Sequence, residues 1–244
     1  MQSNNPILNR VEVYADYSQP MTVQGAIQKS VLLTLIAAVL GLGIFFYSFM
    51  TLNISIAYSA AIVGAIGGFI LALITTFKPD TAKILAIPYA FFEGAFLGGV
   101  SVIFQLKFPG VPLQALLATF VTTLVMFTLY RLQIVRATEK FKSVVLSASI
   151  AIAIVFVVQL IMRLAFGSSV PYIFESNWLG IGFAAFVAVI ASLNLILDFD
   201  LIESSAAQHA PKSMEWLSAI ALLATLVWMY YSFMRLLSLI QGDD

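Results

Sequence analysis

The sequence predicts an all-α fold: a polytopic membrane protein built as a seven-transmembrane-helix bundle. Three observations carry that prediction. Mean hydropathy is +1.00. Charged residues make up 10% of the chain, against about 25% in soluble domains. The apolar residues gather into seven runs long enough to cross a bilayer as helix, which takes about 20 residues each, and none alternates in the manner of a barrel strand.

Residues 1–29 read as a polar N-terminal arm, with Pro6, Pro20, Glu12 and Asp16 and none of the short apolar core of a signal peptide. The seven runs follow at residues 30–50, 54–77, 84–106, 111–132, 143–164, 179–202 and 214–240. Together they make a membrane domain over 30–240, with 241–244 left as a C-terminal tail. Punctuation between runs is legible. Lys78-Pro79-Asp80 ends the second, Phe108-Pro109-Gly110 the third and Phe166-Gly167-Ser168-Ser169 the fifth.

Lys and Arg set the orientation. With the N-terminus inside, the inner segments hold Arg10, Lys29, Lys78, Lys83, Arg131, Arg136, Lys140, Lys142 and Lys212, whereas the outer loops hold Lys107 and Arg163. The bias predicts a cytoplasmic N-terminus and an outer C-terminus. Trp178 and Trp216 start the sixth and seventh spans, where aromatic rings favour the interface. Small residues predict the packing: Ala60, Gly64 and Gly68 recur every four residues on the second span, and Gly94 and Gly98 mark the third. Lipid offers little hydrophobic force between helices, so close backbone approach across such residues supplies the contact.

Composition also excludes. A net charge of zero gives no basic surface for nucleic acid. The absence of cysteine removes disulfides, thiolate metal sites and cysteine nucleophiles. His209 is the single histidine, in the loop before the seventh span, and no Gly-x-Ser-x-Gly or His-Glu-x-x-His motif is present. An enzyme is not expected.

The charges inside the spans point to chemistry, because each is costly in hydrocarbon. Glu93 lies nine residues into the third span, roughly 13 Å deep at 1.5 Å per residue, with Tyr89 one turn earlier on the same face. A carboxyl at that depth is paired with a cation or carries a proton. The sixth span ends in Asn194-Leu-Ile-Leu-Asp198-Phe-Asp200-Leu-Ile-Glu203. Asn194 and Asp198 share one face, and Asp200 and Glu203 share another. Asp198 is the deepest carboxylate and is read as pointing into the bundle beneath Asn194, with Asp200 and Glu203 lining the cytoplasmic mouth. On the last span Ser218, Thr225 and Ser232 recur every seven residues, with Arg235 beside the same stripe. Arg235 can snorkel to the outer interface, and it is the intramembrane cation available to Glu93. Oxygen ligands without sulfur or paired histidines suit Ca²⁺ or protons. No resident cofactor is expected, and a weak, hydrated Ca²⁺ site at Asp198 is the most these residues provide.

The chain resembles the Bax inhibitor-1 (transmembrane Bax inhibitor motif) family, in its bacterial membrane branch. The resemblance is carried by Ser3-Asn4-Asn5-Pro6-Ile7-Leu8, by Pro88-Tyr89 through Glu93-Gly94 to Gly98-Gly99-Val100-Ser101, and by Leu197-Asp198-Phe199-Asp200-Leu201-Ile202-Glu203. It continues in Ala210-Pro211-Lys212-Ser213-Met214-Glu215-Trp216 and Arg235-Leu236-Leu237. It implies a seven-helix bundle with the last helix central and surrounded by the other six, in the inner membrane. It also implies a pH-sensitive calcium leak, gated by aspartates on the sixth and seventh helices and latched by a glutamate–arginine contact. By position, Asp198 matches the sixth-helix aspartate, and Glu93 and Arg235 match the latch. Aligned through Arg235, Thr225 stands where the family has its seventh-helix aspartate.

The function expected is therefore a cation leak channel, with calcium the first candidate. The alternative is a membrane regulatory protein that binds a membrane protease or another membrane partner through its polar arm and the 131–142 loop. A coupled transporter is a third reading. It requires a substrate cavity.

Overall fold

Seven helices run through the computed structural model of the protein, which describes residues 20–242: α1 (Val23–Met50), α2 (Ile54–Phe77), α3 (Ala82–Lys107), α4 (Val111–Arg131), α5 (Glu139–Phe166), α6 (Trp178–Ala207) and α7 (Met214–Gln241). All seven are long and apolar enough to cross a membrane. The described residues contain no strand, and one isolated bridge joins Pro20 to Pro211. Residues 1–19 of the arm, with the Ser3–Leu8 part of the family resemblance, and residues 243–244 of the tail lie outside the described residues.

Successive helices alternate in direction. The starts of α1, α3, α5 and α7 share one end of the bundle, the near end, and the starts of α2, α4 and α6 share the far end. Two boundaries differ from the hydropathy reading in ways that matter. α1 begins at Val23, because Thr22 caps it by accepting the Gly25 N–H at 3.0 Å. Gln24, Gln28 and Lys29 give that first helical stretch the polarity of an arm. α6 continues to Ala207, so Asp198, Asp200 and Glu203 all sit within helix, with a full turn beyond them.

Small residues bring backbones together as their spacing predicted. α3 lies between α1 and α2. A Cβ added at Gly94 would stand 2.6 Å from the Ala37 carbonyl of α1, and one at Gly64 would stand 2.6 Å from the Phe92 carbonyl of α3. Only glycine permits those two crossings. The outward faces carry large apolar side chains, such as Val39, Phe69 and Leu164. In water they would form adhesive patches; in lipid they are the solvated surface.

The interior belongs to α6 and α7, each with 50% of its most apolar window buried, against 11% for α5. α7 packs along α1, α3, α4 and α6. The resemblance implied six surrounding helices. Four take that role at length, because α3 stands between α7 and α2, and α6 between α7 and most of α5.

Candidate functional site

The near-end half of α6 sends each polar side chain to a different neighbour. At 100° per residue Asp198 leaves the helix well away from the other two, and Asp200 and Glu203, although only about 60° apart on the face they share, reach different neighbours. Asp198 faces α7, where Thr225 is its side-chain partner. Asp200 turns to α5 and pairs with Lys142 Nζ at 2.7 Å. Glu203 turns to α4, accepting the Tyr130 hydroxyl at 2.9 Å and lying 3.9 Å from Arg131. Phe199 reinforces the α4 contact by packing its ring on Phe127 and Tyr130, at centroid distances of 5.5 and 5.8 Å.

Both ion pairs keep solvent access on each partner, so they contribute little to stability. Asp198 differs. Its Oδ2 is buried and has no hydrogen-bond partner. Asn194 does not join it, although the two share a helix face. The Asn194 amide instead donates to Ser149 Oγ of α5 at 2.9 Å and to the Ile190 carbonyl at 2.8 Å.

The polar stripe of α7 that recurs every seven residues is buried: Ser218, Thr225 and Ser232 are all enclosed. Thr225 faces Asp198. Ser232 satisfies itself on the Trp228 carbonyl at 2.7 Å. Ser218 Oγ, by contrast, is buried without a partner, as is Arg235 Nη1 at the other end of the stripe. Three of the four unpartnered buried side-chain atoms among the described residues therefore lie on α7 or directly against it. Buried polar atoms ordinarily find a partner. Asp198, Ser218 and Arg235 therefore stand out as polar atoms that the surrounding side chains leave unpaired. Among the described residues no three His, Asp or Glu side chains converge, so any cation at Asp198 would draw its other ligands from hydroxyls, carbonyls and water.

The family profile described as Bax inhibitor 1 like matches residues 5–242, nearly the whole chain. The chain belongs to that family. No curated protein shows significant similarity to it.

The Bax inhibitor-1 resemblance implied a latch between Glu93 and Arg235, and the structure does not bring the two together. Ser101 of α3 and Tyr230 of α7 meet, with their oxygens 2.8 Å apart, which fixes the register of the two parallel helices. Glu93 lies eight residues below that contact and Arg235 five residues above it. At 1.5 Å per residue they are roughly 20 Å apart along the axes, more than the two side chains span. Glu93 instead lies against α2, where a Cβ on Gly68 would stand 2.9 Å from its Oε1, and Tyr89 is its polar partner, as their spacing suggested. Arg235 reaches instead toward the far end of the bundle. Its Nη2 donates to the Ile173 carbonyl at 3.0 Å, and its guanidinium lies 4.2 Å from the Phe174 ring centroid.

One polar cluster of this family member went unread in the sequence. Glu215, only 2% exposed in the first turn of α7, pairs with Lys29 of α1. It also accepts the Thr22 N–H at 2.9 Å and the Thr22 hydroxyl at 3.2 Å. Lys29 Nζ sits 5.1 Å over the Trp216 ring. Beside this clamp, Met21 N–H donates to the Ala210 carbonyl at 2.8 Å, so the start of α1 is fastened to the α6–α7 loop. A carboxylate at a helix N-terminus is ordinary dipole compensation, so the position of Glu215 in the sequence does not announce a buried partner. The signal was available on α1, where Thr22 and Lys29, seven apart, fall on one face.

Proposed function

We propose that the protein is a pH-sensitive cation leak channel of the Bax inhibitor-1 type, with calcium the favoured ion and the α6–α7 seam its path. The observation that carries this reading is the Asp198 carboxyl, enclosed against Thr225 with one oxygen unpartnered, in line with the unpartnered Ser218 hydroxyl. A buried carboxyl in hydrocarbon is costly in the charged form. Its protonation therefore determines whether a cation is held there. A carboxylate, a hydroxyl and water are hard oxygen donors suited to Ca²⁺, and so short a set gives the weak binding that passage requires.

The arrangement is a closed one. Ala191, Leu195 and Met229 fill the interface between α6 and α7, and Ser192 Oγ lies 3.5 Å from Met229 Sδ. Thr225 supplies a neutral hydroxyl where a paired-carboxylate sensor would need a second acid, so Asp198 acts alone. The near end faces the cytoplasm by the Lys/Arg bias, and there Asp200–Lys142 and Glu203–Arg131 frame the mouth in a bacterial inner membrane.

Calcium entry into liposomes carrying the purified protein tests the reading. Entry well above that of empty liposomes is expected, and it should not saturate with an organic solute. Entry equal to that of empty liposomes overturns it. In that case the alternative gains, a membrane regulatory protein binding a membrane protease or another membrane partner. The exposed Arg131 and its loop offer such a partner a charged surface.

A further inference from the structure

The far end of the α6–α7 seam is covered by the loop over residues 167–177, and that loop is pinned at three separate points. Gln159 of α5 accepts the Val170 N–H at 2.8 Å. Arg235 of α7 donates to the Ile173 carbonyl at 3.0 Å. Gly180, in the first turn of α6, lets the loop fold flat onto that helix, since a Cβ there would collide with the Glu175 carbonyl and stand 3.2 Å from the Tyr172 carbonyl.

Between these points Phe174 turns inward. Its ring packs on Phe156 of α5 and Phe183 of α6, with centroids 5.9 and 6.2 Å away. The guanidinium of Arg235 lies among the three rings, 4.2, 5.7 and 5.8 Å from Phe174, Phe156 and Phe183. Aromatic faces attract a partly desolvated cation, so the charge has a seat here without a carboxylate. Directly beneath it Arg235, Ser232, Tyr231, Val187 and Ala184 line a small gap. The stripe running down to Thr225 and Asp198 begins there.

We propose that the 167–177 loop is a lid over the far end of the seam, fastened to α7 by the seat of Arg235 among Phe156, Phe174 and Phe183. The fastening does two things in the closed state. Phe174 and Ile173 shut the seam from the far-side solution, and the guanidinium places a fixed positive charge at the entrance, where it repels cations. Lifting the loop removes the apolar cover and frees the arginine to turn away from the stripe in one movement. This proposal rests on the reading of the seam as a path, but its test measures access rather than flux.

The absence of cysteine makes the test direct. Ser232→Cys places a reporter under the lid, and Ser218→Cys places one near the opposite end of the same stripe. Each is introduced into the full chain in sealed vesicles and exposed on the far side to a membrane-impermeant cationic methanethiosulfonate. Ser232→Cys alone should label slowly. Adding Phe174→Ala or Arg235→Gln should speed its labelling at least ~10-fold, the factor given by about 1.4 kcal/mol of lost fastening. Gln159→Ala, which removes one pin and leaves the aromatic seat intact, should give a smaller gain. Ser218→Cys should stay at its original rate in every background. Unchanged labelling of Ser232→Cys overturns the lid. Equal acceleration at both reporters overturns it as well, because the substitutions would then loosen the bundle generally. A protein that passes no calcium but labels as described keeps its lid and loses the channel reading.

Discussion

Breaking the Lys29–Glu215 clamp should show how firmly α7 is tied at the near end. Glu215 is 2% exposed and Lys29 17%. Removing one partner of a buried ion pair leaves the other charge uncompensated, at a cost of about 3–5 kcal/mol. Lys29→Met strands Glu215 with only the two Thr22 donors and should approach the low end of that range. Glu215→Gln should cost less, roughly 1–2 kcal/mol, because its carbonyl still accepts from Thr22 while the Lys29 ammonium snorkels toward water. The double variant should recover most of the loss, giving a coupling of at least ~2 kcal/mol in a double-mutant cycle. Reversible unfolding of the four proteins in mixed micelles measures it. A coupling below ~1 kcal/mol, the value of an exposed pair, would refute the claim that this contact is a buried clamp.

Three further outcomes are expected. Gly64→Ala forces α2 away from α3 and should cost ~1–3 kcal/mol, whereas Gly43→Ala, whose Cβ would meet nothing within 4 Å, should stay within ~0.5 kcal/mol; the same unfolding assay compares them. Glu93→Gln and Arg235→Gln should be additive in a cycle to within ~0.5 kcal/mol, as for sites without shared partners, and a larger coupling would restore the latch. Asn194→Leu removes the bridge to Ser149 and should destabilise by ~0.6 kcal/mol, the average for such bonds between membrane helices; no change would show that the bridge is unimportant.

Period and hydropathy made much of this fold legible. Spans and glycine crossings depend on local composition, and so does the burial of Ser218, Thr225 and Ser232, so each could be read from spacing alone. Partners are another matter. Asp200 finds Lys142 and Glu203 finds Tyr130 because α5 and α4 happen to flank α6, which no spacing within α6 encodes. Lys29 and Glu215 meet across 186 positions of chain. Glu93 and Arg235 illustrate the opposite failure: their charges are complementary, but charge says nothing about depth. The Ser101–Tyr230 contact that sets their separation joins two residues of ordinary polarity. Asp198 stands out in the sequence because a lone carboxyl deep in an apolar run is expensive wherever the helix turns, and it meets Thr225 on the buried stripe of α7.

The central claim is that Asp198, acting without a second acid, governs a cation path along the α6–α7 seam. Its most direct test is calcium entry into liposomes carrying either the wild-type protein or Asp198→Asn, followed across the neutral pH range. The account predicts a pH-dependent flux in the wild type, and in the variant an altered flux whose dependence on pH is flattened. An Asp198→Asn protein that keeps the wild-type flux and its full pH profile would contradict it.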